Sequence, residues 1–381
     1  MDCTWPVSFK MSSPFLHIIS FNIPFPADYG GVIDIYFKLK ALSQAGVRII
    51  LHCFEYGRSH SKELEDLCFK VYYYPRHKGL KYLFHSDPYI VKTRNANSMP
   101  NNILRDPFPV LFEGLHTTGM LSACTEANKR TLVRTHNIEH EYYRGLAGST
   151  KDPAQKLFFV TEAGKLKRYE KILHQADHIL SIARHESDYF RDTYGEATFI
   201  PAFHPFEELS PVPGSGSYIL FHGNLSVAEN SEMFLRLAVK HLSGLPFQVI
   251  VAGKAPSTSF RKKLVRYPHI ILVEDPTDAE LDRLISQAHL NLLFTRQATG
   301  IKLKLLHALY GGRHCLVNRE MVTGSGLESL CMLAGSGPEL NRQIHELMET
   351  PFGEPEILKR KKALREYSCR ASAEKILRML D

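Results

Sequence analysis

Residues 15–54 read FLHIISFNIPFPADYGGVIDIYFKLKALSQAGVRIILHCF. The run at 15–21 is mainly apolar, interrupted by His17 and Ser20, without the strict alternation of a half-exposed strand. It predicts a short strand buried on both faces. A loop follows, ending in Gly30 and Gly31. From 32 to 45 the apolar residues Ile35, Leu39 and Leu42 recur at helical spacing, and Gly46 stops the helix. A second apolar run covers 47–54. Strand, loop, helix and strand in this order form the unit of a doubly wound parallel sheet.

The pattern continues on both sides of a break. Strands are predicted at 70–74, 110–113, 131–135 and 178–182, with a helix at 154–174. Residues 201–216, PAFHPFEELSPVPGSG, hold four prolines and two glycines and read as a linker. Beyond it, strands are predicted at 218–222, 247–252, 270–273, 290–293 and 315–317, with a helix at 230–242. A chain of 381 residues suits two domains of this kind. The fold class is α/β, two Rossmann-like doubly wound domains facing across a cleft. The first spans 1–200, the linker 201–216 and the second 217–364, and a helix at 365–381 packs back on the first domain. A cleft between domains is a usual place for a ligand.

Composition narrows the function. Charged residues make up 23% and the formal net charge is +7, which favours anionic partners without selecting one. Seven cysteines occur with no CxxC pair, which reads as reduced intracellular thiols. No run approaches the roughly 20 apolar residues of a membrane span. The N-terminus has no sustained apolar core of a signal peptide, and Met11 is an alternative start. We expect a cytoplasmic protein, with peripheral contact at the inner membrane face left open. No signature of nucleic-acid binding, no Walker A loop and no GxSxG elbow is present.

Four segments carry chemistry. In 300–317, GIKLKLLHALYGGRHCLV, Lys302 and Lys304 stand at a predicted helix start, where a cation opposes the helix dipole. An anion held there gives them a purpose; two solvated lysines are the plain alternative. In 221–230, FHGNLSVAEN, Gly223 allows close backbone approach, Asn224 follows it, and Asn230 is a natural helix N-cap. Gly30 and Gly31 place backbone amides between a strand and a helix, where a phosphate can sit. In 134–147, RTHNIEHEYYRGLA, His136 follows a strand. His136 to His140 also fits the HxxEH zinc-peptidase pattern, which requires both histidines on one helical turn. The strand before His136 speaks against that. His116 follows another strand and either binds an acceptor or caps a turn. The stretch 76–84, RHKGLKYLF, either touches lipid headgroups or a lipid-linked acceptor, or is a solvated face.

Taken in order, these segments resemble the family 4 glycosyltransferases (glycosyl transferases group 1), which have the GT-B fold. The resemblance implies a retaining, metal-independent transfer of a hexose from a nucleotide-diphosphate sugar to a saccharide or lipid-linked acceptor, with no cofactor. It implies that Lys304 and Lys302 contact the donor diphosphate together with Gly30, Gly31, Gly223 and Asn224, and that His136 faces the donor sugar as the catalytic residue. The E-x7-E pair of the family falls on Thr299 and His307, so both carboxylates are missing. The resemblance then leaves His307 to accept a hydrogen bond from the donor ribose. A catalytically degenerate protein that binds a sugar or another protein is the alternative.

Overall fold

The computed structural model describes residues 13–296, 303–335 and 337–380. The chain forms two compact units. The first comprises the described residues up to Ser181, then Ser187–Phe203 and those from Cys369 onward; the second comprises Ile182–Glu186 and His204–Ser368.

The first unit is built on seven parallel strands. They are β1 (Phe15–Ser20), β2 (Arg48–Glu55), β3 (Lys70–Pro75), β4 (Val110–Glu113), β5 (Thr131–Thr135), β6 (His178–Ser181) and β7 (Ala197–Phe199). Their spatial order is β3-β2-β1-β4-β5-β6-β7. The apolar runs form central strands because helices cover both faces, so every side chain along β1, β4 and β5 except Phe15 is buried. The Gly30–Gln44 helix packs on one face through Ile35, Leu39 and Leu42. Ala373 and Ile376 of the Cys369–Leu377 helix, and Leu380 beyond it, enter the same cluster. Leu166 of the Pro153–Tyr169 helix lies in a second cluster with Phe112 and Val133.

The second unit holds β8 (Tyr218–His222), β9 (Gln248–Gly253), β10 (Ile270–Glu274), β11 (Leu290–Leu293), β12 (His314–Val317) and β13 (Met332–Leu333). The order is β10-β9-β8-β11-β12-β13, again parallel. Phe221, Phe234, Leu292 and Ile344 are fully buried in its main core. The expectation of two doubly wound α/β units is thus borne out. Strands β7 and β13 were not expected; at three and two residues they are too short to show a period. No helix among the described residues is long and apolar enough to cross a membrane.

Candidate functional site

Each sheet reverses its winding at one place. From β1 the chain moves outward to β2 and β3, and from β4 it moves the other way, so the switch lies between β1 and β4. In the second unit it lies between β8 and β11. Open α/β sheets bind ligands outside the carboxyl ends of the strands at such points. All the candidate residues within the described part lie near these two ends.

In the second unit, Lys304 is the second residue of the Leu303–Gly311 helix. Its Nζ lies 3.2 Å from the carbonyl oxygen of Phe294, just past β11, and 3.4 Å from Asn230 Oδ1. It also lies 5.7 Å from the centre of the Phe221 ring on β8. Asn230 Nδ2 in turn donates to the Asn224 carbonyl at 2.9 Å. Lys304, Asn230 and the Gly223–Asn224 turn therefore form one connected group. The Asn224 side chain closes that turn by accepting from the Ser226 amide and hydroxyl. Asn230 is not the N-cap that the sequence suggested. The Ala228–Leu237 helix begins two residues earlier, Val227 stands at its cap, and Asn230 braces Lys304 from the first turn. The turn is held down by Gly253 at the end of β9, where a Cβ would stand 1.9 Å from the Gly223 carbonyl oxygen. Only glycine fits there. Lys302 and Thr299 lie outside the described residues.

His307, one turn beyond Lys304, stacks on Phe206 at 4.5 Å and bonds through Nε2 to Asp282 Oδ1 at 2.6 Å. Burial lowers its pKa, against the opposing pull of Asp282. His222, at the end of β8, is buried with no hydrogen-bond partner on Nε2. Burial, reinforced by His307 and Lys304, holds it neutral.

In the first unit a buried chain of charges underlies the switch. Arg134 of β5 bonds Asp34 through Nη2 at 2.9 Å. Lys38 Nζ bridges Asp34 at 3.0 Å and Glu113 at 2.6 Å. Glu113 Oε2 receives His136 Nε2 at 3.2 Å. Burial alone would raise both carboxyl pKa values. Arg134 and then Lys38 hold Asp34 far below its usual range, and Lys38 with His136 keeps Glu113 below its own. An ionised Glu113 only accepts, so the proton of a neutral His136 sits on Nε2 and its Nδ1 carries the lone pair. Asp34, Glu113 and His136 each bring a ligand atom within 4.8 Å of the others, the spacing of a cation site. The Lys38 ammonium already bonds both carboxylates and supplies the positive charge there.

The HxxEH zinc reading finds no shared ligand position: His136 bonds Glu113, whereas His140, inside the Glu139–Ser149 helix, bonds Glu170. His116 Nδ1 is buried without a hydrogen bond and lies 4.0 Å from Glu139 Oε1. Burial, then the Glu170 carboxylate, push the Glu139 carboxyl up to about 8. Gly30 and Gly31 are the first two residues of the Gly30–Gln44 helix rather than part of a loop before it, and Tyr29 at the cap gives no side-chain bond. A Cβ on Gly31 would meet the Phe21 ring at 2.9 Å, whereas one on Gly30 would meet nothing. Phe21 itself packs between His116 and His136.

Comparison with solved structures matches this architecture from end to end. A sucrose-phosphate synthase from Thermosynechococcus elongatus superposes with a TM-score of 0.66 at 15% identity, over 96% of this chain and 98% of that one. A UDP-glucosyltransferase from Polygonum tinctorium gives 0.59 at 12% identity, over 98% and 99%. OtsA gives 0.55 at 10% identity, over 95% and 96%. The chain has the GT-B fold. No family model matches the sequence. An uncharacterized 44.6 kDa protein in the cps region of Klebsiella pneumoniae is 26% identical over 313 residues, 77% of this chain and 79% of the relative. The GT-B assignment agrees with the resemblance drawn from the motifs. The sequence reading missed Asp34, Lys38, Glu113 and Arg134. Two of them left a signal: Asp34 and Lys38 fall four residues apart on the apolar stripe of their helix, where charge is out of place unless paired.

Proposed function

We propose that this protein is a glycosyltransferase of the family 4 type. It takes a hexose from a nucleotide-diphosphate sugar and transfers it, with retention and without a metal ion, to a saccharide or lipid-linked acceptor in polysaccharide biosynthesis. The observation that carries the reading is Lys304. It stands at the carboxyl ends of β8 and β11, tied through Asn230 to the Gly223–Asn224 turn. An ammonium beside a glycine turn at a switch point suits a diphosphate, whose charge grows as the glycosidic bond breaks. Lys302 adds to that charge, and the amides of Gly30, Gly31, Gly223 and Asn224 contribute donors.

His136 is the residue that meets the donor sugar. With Nε2 held by Glu113, it presents Nδ1 as an acceptor, and the charges behind it fix its orientation. Lys38 takes the electrostatic part that a metal ion would otherwise play between Asp34 and Glu113. Support for the donor class comes from the fold neighbours, one of which is described as a UDP-glucosyltransferase. The cps-region relative supports the polysaccharide setting.

The test is calorimetric binding of a panel of UDP- and GDP-sugars, with EDTA present, followed by assay of sugar release. Lys304→Ala should weaken binding of the preferred nucleotide at least tenfold, about 1.4 kcal/mol, through loss of a charge-assisted phosphate contact. Its Tm should stay within about 2 °C of wild type, as for substitutions away from the core. Normal nucleotide binding by the variant removes Lys304 from the site. Binding without turnover on any acceptor favours the degenerate binding protein, the reading suggested by a histidine at position 307.

A further inference from the structure

The stretch 76–85, RHKGLKYLFH, contains Arg76, His77, Lys78, Lys81 and His85 and no carboxylate. Within it, Leu80–Phe84 forms a single 3₁₀ turn that buries none of its residues. Leu80 is 75% exposed and Phe84 88%. An isolated exposed leucine needs no explanation, but these two do not stand alone. The Pro153–Tyr169 helix lies against the turn: Lys165 Nζ donates to the Leu83 carbonyl at 2.6 Å. Gly79, Leu80, Leu83, Tyr89 and Phe158 line a shared cavity of about 380 Å³. Leu157, beside Phe158 on that helix, is 68% exposed.

The charges around these side chains have one sign. Lys78 and Lys81 flank Leu80. The local carboxylates are already committed. Glu162 is buried and paired with Lys165 at 2.8 Å. Asp152 caps its helix by accepting from the Ala154 and Gln155 amides. Asp87 faces His85 at 3.4 Å and Lys92 at 3.9 Å.

We propose that this face of the first unit docks on an anionic bilayer surface. Leu80 and Phe84 enter the boundary between headgroups and acyl chains. Lys78 and Lys81 meet lipid phosphates. Exposed apolar side chains ringed by lysines match the layered chemistry of such a surface, apolar below and anionic above. An acidic protein partner would complement the lysines but would not call for Phe84 to stand out into solvent. The proposal is independent of the glycosyltransferase reading, because its readout needs no donor or acceptor.

The experiment is flotation of the full chain with two kinds of vesicle, phosphatidylcholine alone and phosphatidylcholine with about one third phosphatidylglycerol, at low and high salt. The protein should float with the anionic vesicles only, and less at high salt. Leu80→Ser with Phe84→Ser should cut the partition coefficient at least tenfold. Lys78→Gln and Lys81→Gln should each cut it by roughly fivefold. All four positions are exposed or lie on the turn, so circular dichroism should be unchanged. The proposal is overturned by failure of wild type to float with anionic vesicles. It is equally overturned by full binding in the Leu80→Ser, Phe84→Ser variant, or by equal binding to neutral vesicles. Capture of an acidic protein with no vesicle binding counts against it as well.

Discussion

At position 307 an imidazole stands one helical turn along from Lys304, where the family resemblance led us to expect a carboxylate. Asp282, on the neighbouring Asp278–Gln287 helix, accepts from His307 Nε2 at 2.6 Å. A carboxylate has no proton to give at neutral pH, so the imidazole keeps its proton on Nε2 and its lone pair on Nδ1. His307 and Asp282 together thus present one acceptor and retain one negative charge nearby. This changes what a substitution should do. His307→Glu alone would set a second carboxylate against Asp282 and should weaken donor binding by roughly fivefold, about 1 kcal/mol for a like-charge pair at the surface. Adding Asp282→Asn should restore affinity to wild type or better. Calorimetry on the two variants decides it: tighter binding by the single variant rules out the repulsion, and no change in either removes position 307 from the donor site. Lys304 was legible in the sequence because a lysine at a helix start has no stabilising reason to be there. Asp282 was not legible. It is an exposed acid on an ordinary capped helix, and only folding brings it to His307.

Among the elements, the amino-terminal strands are joined by more than their ladders. His17 on β1 bonds Asp106 Oδ1 through Nε2 at 2.9 Å, and its Nδ1 meets His52 Nε2 on β2 at 2.9 Å. His52 Nδ1 meets the Tyr74 hydroxyl on β3 at 2.9 Å, and Asn102 donates to that hydroxyl at 3.0 Å. With Asp106 ionised and both rings neutral, one set of proton positions satisfies every link: His17 donates to Asp106, His52 to His17, and Tyr74 to His52. A further proton would place a net charge in this buried row. Burial, the largest cause, lowers the pKa of both histidines, and His52 lies well below 6.5. The unfolded chain takes up those protons near the ordinary value while the folded one refuses them. This pair's contribution is therefore full above about pH 6.5 and is lost as the pH falls toward the folded values. NMR titration of the imidazoles should find the His52 midpoint well below that of a free imidazole, because burial disfavours its charged form. A His52 midpoint near its unperturbed value would overturn the assigned chain. The central strands were readable because burial on both faces leaves mainly apolar runs. Strands β7 and β13 were not, since three and two residues carry no period. The ion chain beneath His136 was half readable. Asp34 and Lys38 interrupt an apolar stripe, but Glu113 and Arg134 look like ordinary strand ends until the sheet sets β4 beside β5.

On the scale of the molecule, the order of the chain and the order of the units differ. The Cys369–Leu377 helix belongs to the first unit and not to the second, which precedes it in sequence. Ile376 is fully buried and Leu380 nearly so, in the cluster that holds Ile35, Leu39 and Phe203. Burying two such side chains contributes about 3–6 kcal/mol, a large share of the roughly 5–15 kcal/mol that holds an ordinary domain together. A chain ending at Ser368 should therefore lose the thermal transition of the first unit or show it many degrees lower, while the second unit keeps its own. Calorimetry of the truncated protein checks this, and an unchanged transition would show that the helix is dispensable. The same feature bears on how the protein is made. A ribosome delivers the seven strands of the first unit early, yet the last piece of that unit's interior follows only after the second unit has been made. Until then the nascent chain carries an apolar gap on its first helix, open to chaperones and proteases. A message cut short before Cys369 would yield not a protein lacking a tail but one whose earliest-made half had never closed.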